Sequence, residues 1–205
     1  MSEVSALMSK GGVLMPFILM CSVIALAIFL ERVIRFARLR VRGDGLVEKM
    51  VRHLKAGEDH QAYELAQAAK TPMGRILAQG MTVKDQDRET LETVLVHATE
   101  EEVRDLSRYT HALATIGNIA PLLGLMGTVL GMIKAFMVIE QMGGKVNASV
   151  LAGGIWEAML TTAVGLGVAL PTMVAHSYLI HRIESYEAQL QDGTVAFIKT
   201  LGKKA

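Results

Sequence analysis

The sequence predicts an all-α polytopic membrane protein with three transmembrane helices, its long helices extending into a cytoplasmic helical domain. Three observations predict it. Residues 11–30 and 109–133 carry no formal charge, and residues 146–181 carry only Glu157. Each block reaches or approaches the roughly 20 apolar residues that span a hydrocarbon core. Cationic residues gather on one side of these blocks, and the polar stretch between the first two has helical rather than alternating periodicity.

The first span is expected at about 13–31, after an outer N-terminus at 1–12. Gly11 and Gly12 precede it, and Pro16 falls where a first helical turn tolerates proline. Arg32, Arg35, Arg38, Arg40 and Arg42 follow directly, and Gly43 and Gly45 separate them from the next helices. Residues 32–110 then form a cytoplasmic helical domain. Gly57, Glu58 and Asp59 read as a helix end and the acidic start of another, and Thr71-Pro72 as a further break. From Asp87 onward Leu91, Val94, Leu95, Ala98, Val103 and Leu106 share one side, with no breaker before the second span. One uninterrupted helix is therefore expected from about 87 to about 139. The second span is read at 111–139, a periplasmic loop at 140–148, the third span at 149–180 and a cytoplasmic C-terminal helix at 181–205.

Charge sets the orientation. Arg104 and Arg108 precede the second span, and Arg182, Lys199, Lys203 and Lys204 follow the third. The other side holds Lys10 and Lys145, with Lys134 near a helix end from which it can snorkel. Positive residues stay inside, so the N-terminus lies outside and the C-terminus in the cytoplasm of a multi-pass membrane protein. A removable leader fits poorly, because the cationic cluster follows the first span and no small-residue cleavage pattern succeeds it.

Composition excludes several functions. A net charge of +1 argues against nucleic acid. The single cysteine, Cys21, permits no internal disulfide and no zinc spacing, so no metal or cofactor is expected. No nucleophile–base pair suggests an enzyme; Ser177 beside His176 on one helix lacks that geometry. Glu100, Glu101 and Glu102 read as a solvated face, and His176 and His181 as interface markers.

The chemistry gathers in the apolar blocks. An ionised, unpaired carboxylate at membrane depth costs several kcal/mol, so Glu157 marks an ion path, a proton relay or a buried partner. It lies about 12 Å below the outer surface, counting about eight residues into the span. Thr161 is one turn on, Thr162 is about 140° round the helix, and Thr128 can reach similar depth from the second span. Their hydroxyls can hold water or a partly dehydrated cation. Gly124, Gly127, Gly131 and Gly165 belong to small-residue faces that let helices pack closely, within the chain and between copies. Pro121 and Pro171 each remove a backbone donor inside a span and are candidate hinges.

Ala120-Pro121-Leu122-Leu123-Gly124-Leu125-Met126-Gly127-Thr128-Val129-Leu130-Gly131 resembles the second-helix signature of the TolQ/ExbB/MotA proton-channel family. The run from Gly154 through Glu157, Thr161 and Thr162 to Leu166, followed by Pro171, resembles its third-helix signature. Three spans resemble the ExbB/TolQ branch, since the MotA branch has four. The resemblance implies a stator subunit driven by the proton-motive force, not an enzyme. It would form a homopentamer around a dimeric, single-span ExbD/TolR-like partner whose helix aspartate accepts protons. A TonB/TolA-like protein would receive the work at the cell envelope. By position, Thr128, Glu157 and Thr162 would line the lumen. Trp156 is bulkier than the family's small residues there, and Thr161 adds a hydroxyl that could suit sodium, although the proton is the implied ion. The alternatives are a TolQ-like subunit for outer-membrane integrity and a non-conducting structural membrane scaffold.

Overall fold

The structure, a computed structural model, describes residues 12–42, 45–141 and 148–202. The expected outer N-terminus up to Gly11, residue Gly43, and the loop at 142–147 lie outside those residues, as do Lys10, Lys145, Lys203 and Lys204. Among the described residues there are seven helices and no strand: α1 (Met15–Arg42), α2 (Leu46–Ala56), α3 (Asp59–Ala68), α4 (Pro72–Thr82), α5 (Arg88–Leu106), α6 (Thr110–Gln141) and α7 (Ala148–Leu201). Three of them, α1, α6 and α7, contain stretches long and apolar enough to cross a membrane. The all-α class with three such helices is therefore as expected. The chain divides into two compact units, one of residues 1–30 with 109–178, the other of 31–108 with 179–205.

In the first unit α1 buries Met15, Ile18 and Ala25, as the turn before it buries Leu14, while Phe17, Met20, Val23 and Ile24 are exposed. A water-soluble fold would not leave such a face uncovered. Phe29 and Tyr178 meet edge to face with ring centres 6.4 Å apart. In α6 the buried positions Leu113, Ile116, Gly117, Ala120, Gly124, Gly127, Gly131 and Ala135 recur every three or four residues, forming one stripe.

The second unit has an ordinary apolar core. Leu46, Met50 and Leu54 of α2, Ile76 and Leu77 of α4, Leu91 and Leu95 of α5, and Leu190 and Phe197 of α7 pack together. Its helix ends follow local chemistry. Gly57 ends α2 in the left-handed conformation at φ 82°, and its N–H caps carbonyls of the last turn. The Thr71 hydroxyl accepts from the Gly74 N–H at 3.1 Å, with Pro72 as first helical residue of α4. The Asp87 carboxylate accepts from the Thr90 N–H at 2.9 Å and opens α5. Both breaks read from the sequence are present.

The expected unbroken helix from 87 to 139 is not. It stops at Leu106 and restarts at Thr110. Tyr109 takes φ 69°, which ends a right-handed helix, and Ser107 Oγ bonds the Val103 carbonyl at 2.8 Å. The Arg32 guanidinium donates to the Asp105 and Leu106 carbonyls at 3.3 and 3.4 Å, capping the end of α5 from a distant part of the chain. No glycine or proline announces this break.

Polar pairs surround that core. Arg35 pairs with Asp105, and Arg75 with Glu102. The Glu102 hydrogen bond holds the Arg75 guanidinium above its ordinary range, against the opposing effect of burial. Burial, reinforced by the nearby Glu102 charge, raises the Tyr186 phenol, whose ring meets Phe36 edge to face at 6.5 Å.

Candidate functional site

The site is built on the pairing of α6 with α7 inside the first unit, and glycine makes that pairing possible. A Cβ added to Gly131 would lie 2.9 Å from the Ala158 Cβ, and one on Gly154 2.8 Å from the Ala135 Cβ. At Gly165 it would stand 2.6 Å from the Ala120 carbonyl oxygen, and at Gly124 3.0 Å from the Thr162 Cα. Gly127 sits directly under the Thr161 side chain, and Gly117 under Met173. Rising residue numbers on α6 meet falling ones on α7, so the two helices run antiparallel. In lipid, where apolar burial drives little association, such close packing supplies the attraction. All four glycines singled out in the sequence lie in this seam.

Lys134 of α6 and Glu157 of α7 come together across this hairpin. Lys134 Nζ lies 3.6 Å from Glu157 Oε2. Counting back from Gln141, Lys134 is roughly 10 Å inside α6; counting from Ala148, Glu157 is roughly 14 Å inside α7. Both line a cavity of about 90 Å³, together with Thr161 and the turn that precedes α1. In that turn Gly12 has φ 66°, and a Cβ there would come within 2.6 Å of Glu157 Oε1. A side chain at position 12 would thus be both strained and in collision with the carboxylate. The cavity has room for a few water molecules. Glu157 remains 27% exposed and Lys134 72% exposed, so the carboxylate is partly shielded while the ammonium faces outward.

The threonines divide. Thr161 is buried, donates to the Ala158 carbonyl of its own helix at 2.7 Å, and shares the cavity with Glu157, as their one-turn spacing suggests. The Thr162 hydroxyl donates across the seam to the Gly124 carbonyl at 2.9 Å. Thr128 donates to the Leu125 carbonyl of its own helix at 2.6 Å. Neither Thr162 nor Thr128 lines this cavity of the single chain. Each hydroxyl has committed its proton but keeps lone pairs that can accept. Pro121 and Pro171 lie inside α6 and α7, which continue through them. Lacking an N–H, each leaves the carbonyl four residues earlier, of Gly117 and of Gly167, without its helical donor.

Sequence reasoning missed Lys134 and Gly12 as neighbours of the acid. Lys134 read as a snorkelling residue at a helix end. The usable signal was the hairpin itself: counted from its turn, lysine and glutamate sit at similar depth on antiparallel helices. Nothing local marks Gly12. Among the described residues, no group of three His, Cys, Asp or Glu side chains could hold a metal ion. Large apolar side chains on the outer faces of α6 and α7, Leu122, Val129, Phe136, Trp156, Met159 and Leu170 among them, are exposed and await lipid or protein.

Comparison with known proteins matches residues 68–192 to the MotA/TolQ/ExbB proton channel family. A Synechocystis protein named ExbB-like 3 is 31% identical over 80% of this chain and 79% of its own length. The biopolymer transport protein ExbB of Salmonella typhimurium is 31% identical over 85% of this chain and 75% of its own. The Tol-Pal system protein TolQ of Haemophilus influenzae is 33% identical over 53% of this chain and 47% of its own. With three apolar helices long enough to span, these relatives make this a multi-pass membrane protein.

Proposed function

The chain belongs to the MotA/TolQ/ExbB proton channel family, in its ExbB/TolQ branch, and from that premise we propose that it is an inner-membrane stator subunit driven by the proton-motive force. Five copies surround a dimeric, single-span ExbD/TolR-like partner, and a TonB/TolA-like protein carries the work to the envelope. The observation that carries this reading is the Glu157 carboxylate, held at membrane depth beside Lys134 on a cavity large enough for water. A carboxylate that only stapled helices together would be expected to be fully enclosed; this one keeps a quarter of its surface open. The exposed apolar faces of α1, α6 and α7 give both lipid and neighbouring copies something to cover.

In that assembly Glu157, Thr161, Thr162 and Thr128 border the axial conduit, and water between them relays protons to an acceptor on the partner. The carbonyls freed by Pro121 and Pro171 add acceptors and let the helices flex. The N-terminus is periplasmic and the C-terminus cytoplasmic, with spans near 13–31, 111–139 and 149–180. The Salmonella ExbB matches 85% of this chain and the Haemophilus TolQ 53%, which favours an ExbB-like role over a Tol-Pal one.

The test separates motor from scaffold. Glu157→Ala should abolish work that depends on the motive force while complexes of unchanged native mass are still recovered. If the variant assembles and the work continues, the stator reading fails. A scaffold would respond only through assembly.

A further inference from the structure

We propose that Lys134 restricts this chain's ion path to protons, because its ammonium occupies the place beside Glu157 that a sodium ion would need. The inference rests on reading Glu157 as the carboxylate of the ion path. Lys134 Nζ is 3.6 Å from Glu157 Oε2 and lines the same cavity. Among the described residues no other charged side chain lines that cavity; apart from Thr161, its remaining walls are glycine or aliphatic. Within this cavity the described side chains offer a cation one carboxylate and one hydroxyl oxygen, and that hydroxyl already donates to the Ala158 carbonyl. A sodium ion reaching Glu157 would meet a positive charge already in place. Like charges set side by side are strongly disfavoured.

A proton does not meet this obstacle. It needs no cage, only a chain of water, and the cavity has room for one. It passes from a water O–H to a carboxylate oxygen, and that new O–H bond breaks again when water on the far side accepts it. Lys134 keeps its three protons throughout. Once Glu157 is neutral the exposed ammonium can turn to solvent, and it returns when the carboxylate reforms.

Sodium and proton entry under an imposed potential can be compared in membrane vesicles from cells carrying the full chain with its native partners. Wild type and Lys134→Arg should admit protons and exclude radioactive sodium. Lys134→Gln and Lys134→Met should raise sodium entry at least about tenfold. Undiminished sodium exclusion in both neutral variants overturns the proposal, as does sodium entry through the wild type. Should neither neutral variant reach the membrane, the wild type decides: proton entry indifferent to added sodium supports the proposal, and competition by sodium overturns it. Glu157→Gln distinguishes a different failure, since proton entry that survives it removes the ion-path reading itself.

Discussion

The Thr162 hydroxyl donates to the Gly124 carbonyl at 2.9 Å, tying α7 to α6 where a Cβ on Gly124 would lie 3.0 Å from the Thr162 Cα. Hydrogen bonds between helices in lipid average about 0.6 kcal/mol and reach about 1.7. Thr162→Ala should therefore lower the thermal stability of the detergent-solubilised chain by about 1 kcal/mol, and Thr162→Ser should restore it. Ion-driven work that falls in Thr162→Ala far beyond that stability loss would show a further role for the hydroxyl in the conduit. An unfolding temperature indifferent to all three residues would mean the bond contributes nothing.

Gly127 has no room to grow, because the Thr161 side chain rests on it. Gly127→Ala overpacks the seam and should cost about 1–3 kcal/mol, seen as reduced thermal stability and reduced membrane accumulation. Thr161→Gly in the same chain removes the opposing atoms and should recover most of the loss. Gly153→Ala is the control: its added Cβ meets nothing within 4 Å. Equal effects at 127 and 153 would show that helix propensity, not contact, decides.

Asp87 supplies a pH dependence outside the membrane. Its carboxylate accepts from the Thr90 N–H and hydroxyl, and the backbone bond, then the hydroxyl, holds its pKa below the ordinary aspartate range. A group whose folded pKa is depressed stabilises above its unfolded pKa, about 3.9, and loses that contribution as pH falls through the folded value. The first turn of α5 should become more accessible to hydrogen exchange as the pH drops below about 4. Asp87→Asn should keep the cap and lose this acid sensitivity, whereas Asp87→Ala should fray at neutral pH as well.

How much of this was legible in the sequence depended on whether the signal was local. Gly57 and Thr71-Pro72 end and start helices through their own dihedrals and donors, so their positions could be read directly. Glycines at spacings of three and four gave the seam on α6, and Glu157 with Thr161 gave a shared face on α7. The Lys134–Glu157 pair needed two helices aligned across a turn, a relation that the spacing within either helix does not contain. The bond from Thr162 to Gly124 was hidden for the same reason. The break at Ser107–Tyr109 was hidden more deeply, because the residue that caps the end of α5 there, Arg32, is more than seventy residues away.

That break yields the last prediction. Arg32 is 2% exposed and its guanidinium donates to the Asp105 and Leu106 carbonyls at the end of α5, where helical donors run out; the Asp105 carbonyl also accepts from the Arg108 N–H at 3.4 Å. Leaving buried carbonyls without donors costs about 1–3 kcal/mol. Arg32→Leu should destabilise the chain by that amount and speed tryptic cleavage after Arg108, the basic residue inside the break. Arg35 is the comparison, since it pairs with Asp105 while both side chains remain about a third or more exposed. Solvent screens such pairs to about 0–1 kcal/mol, so Arg35→Leu should change little. Arg32→Lys keeps the charge without the planar fork and should fall between them. If Arg32→Leu and Arg35→Leu gave the same cleavage rate, positive charge near α5 would account for the effect and the capping geometry would not.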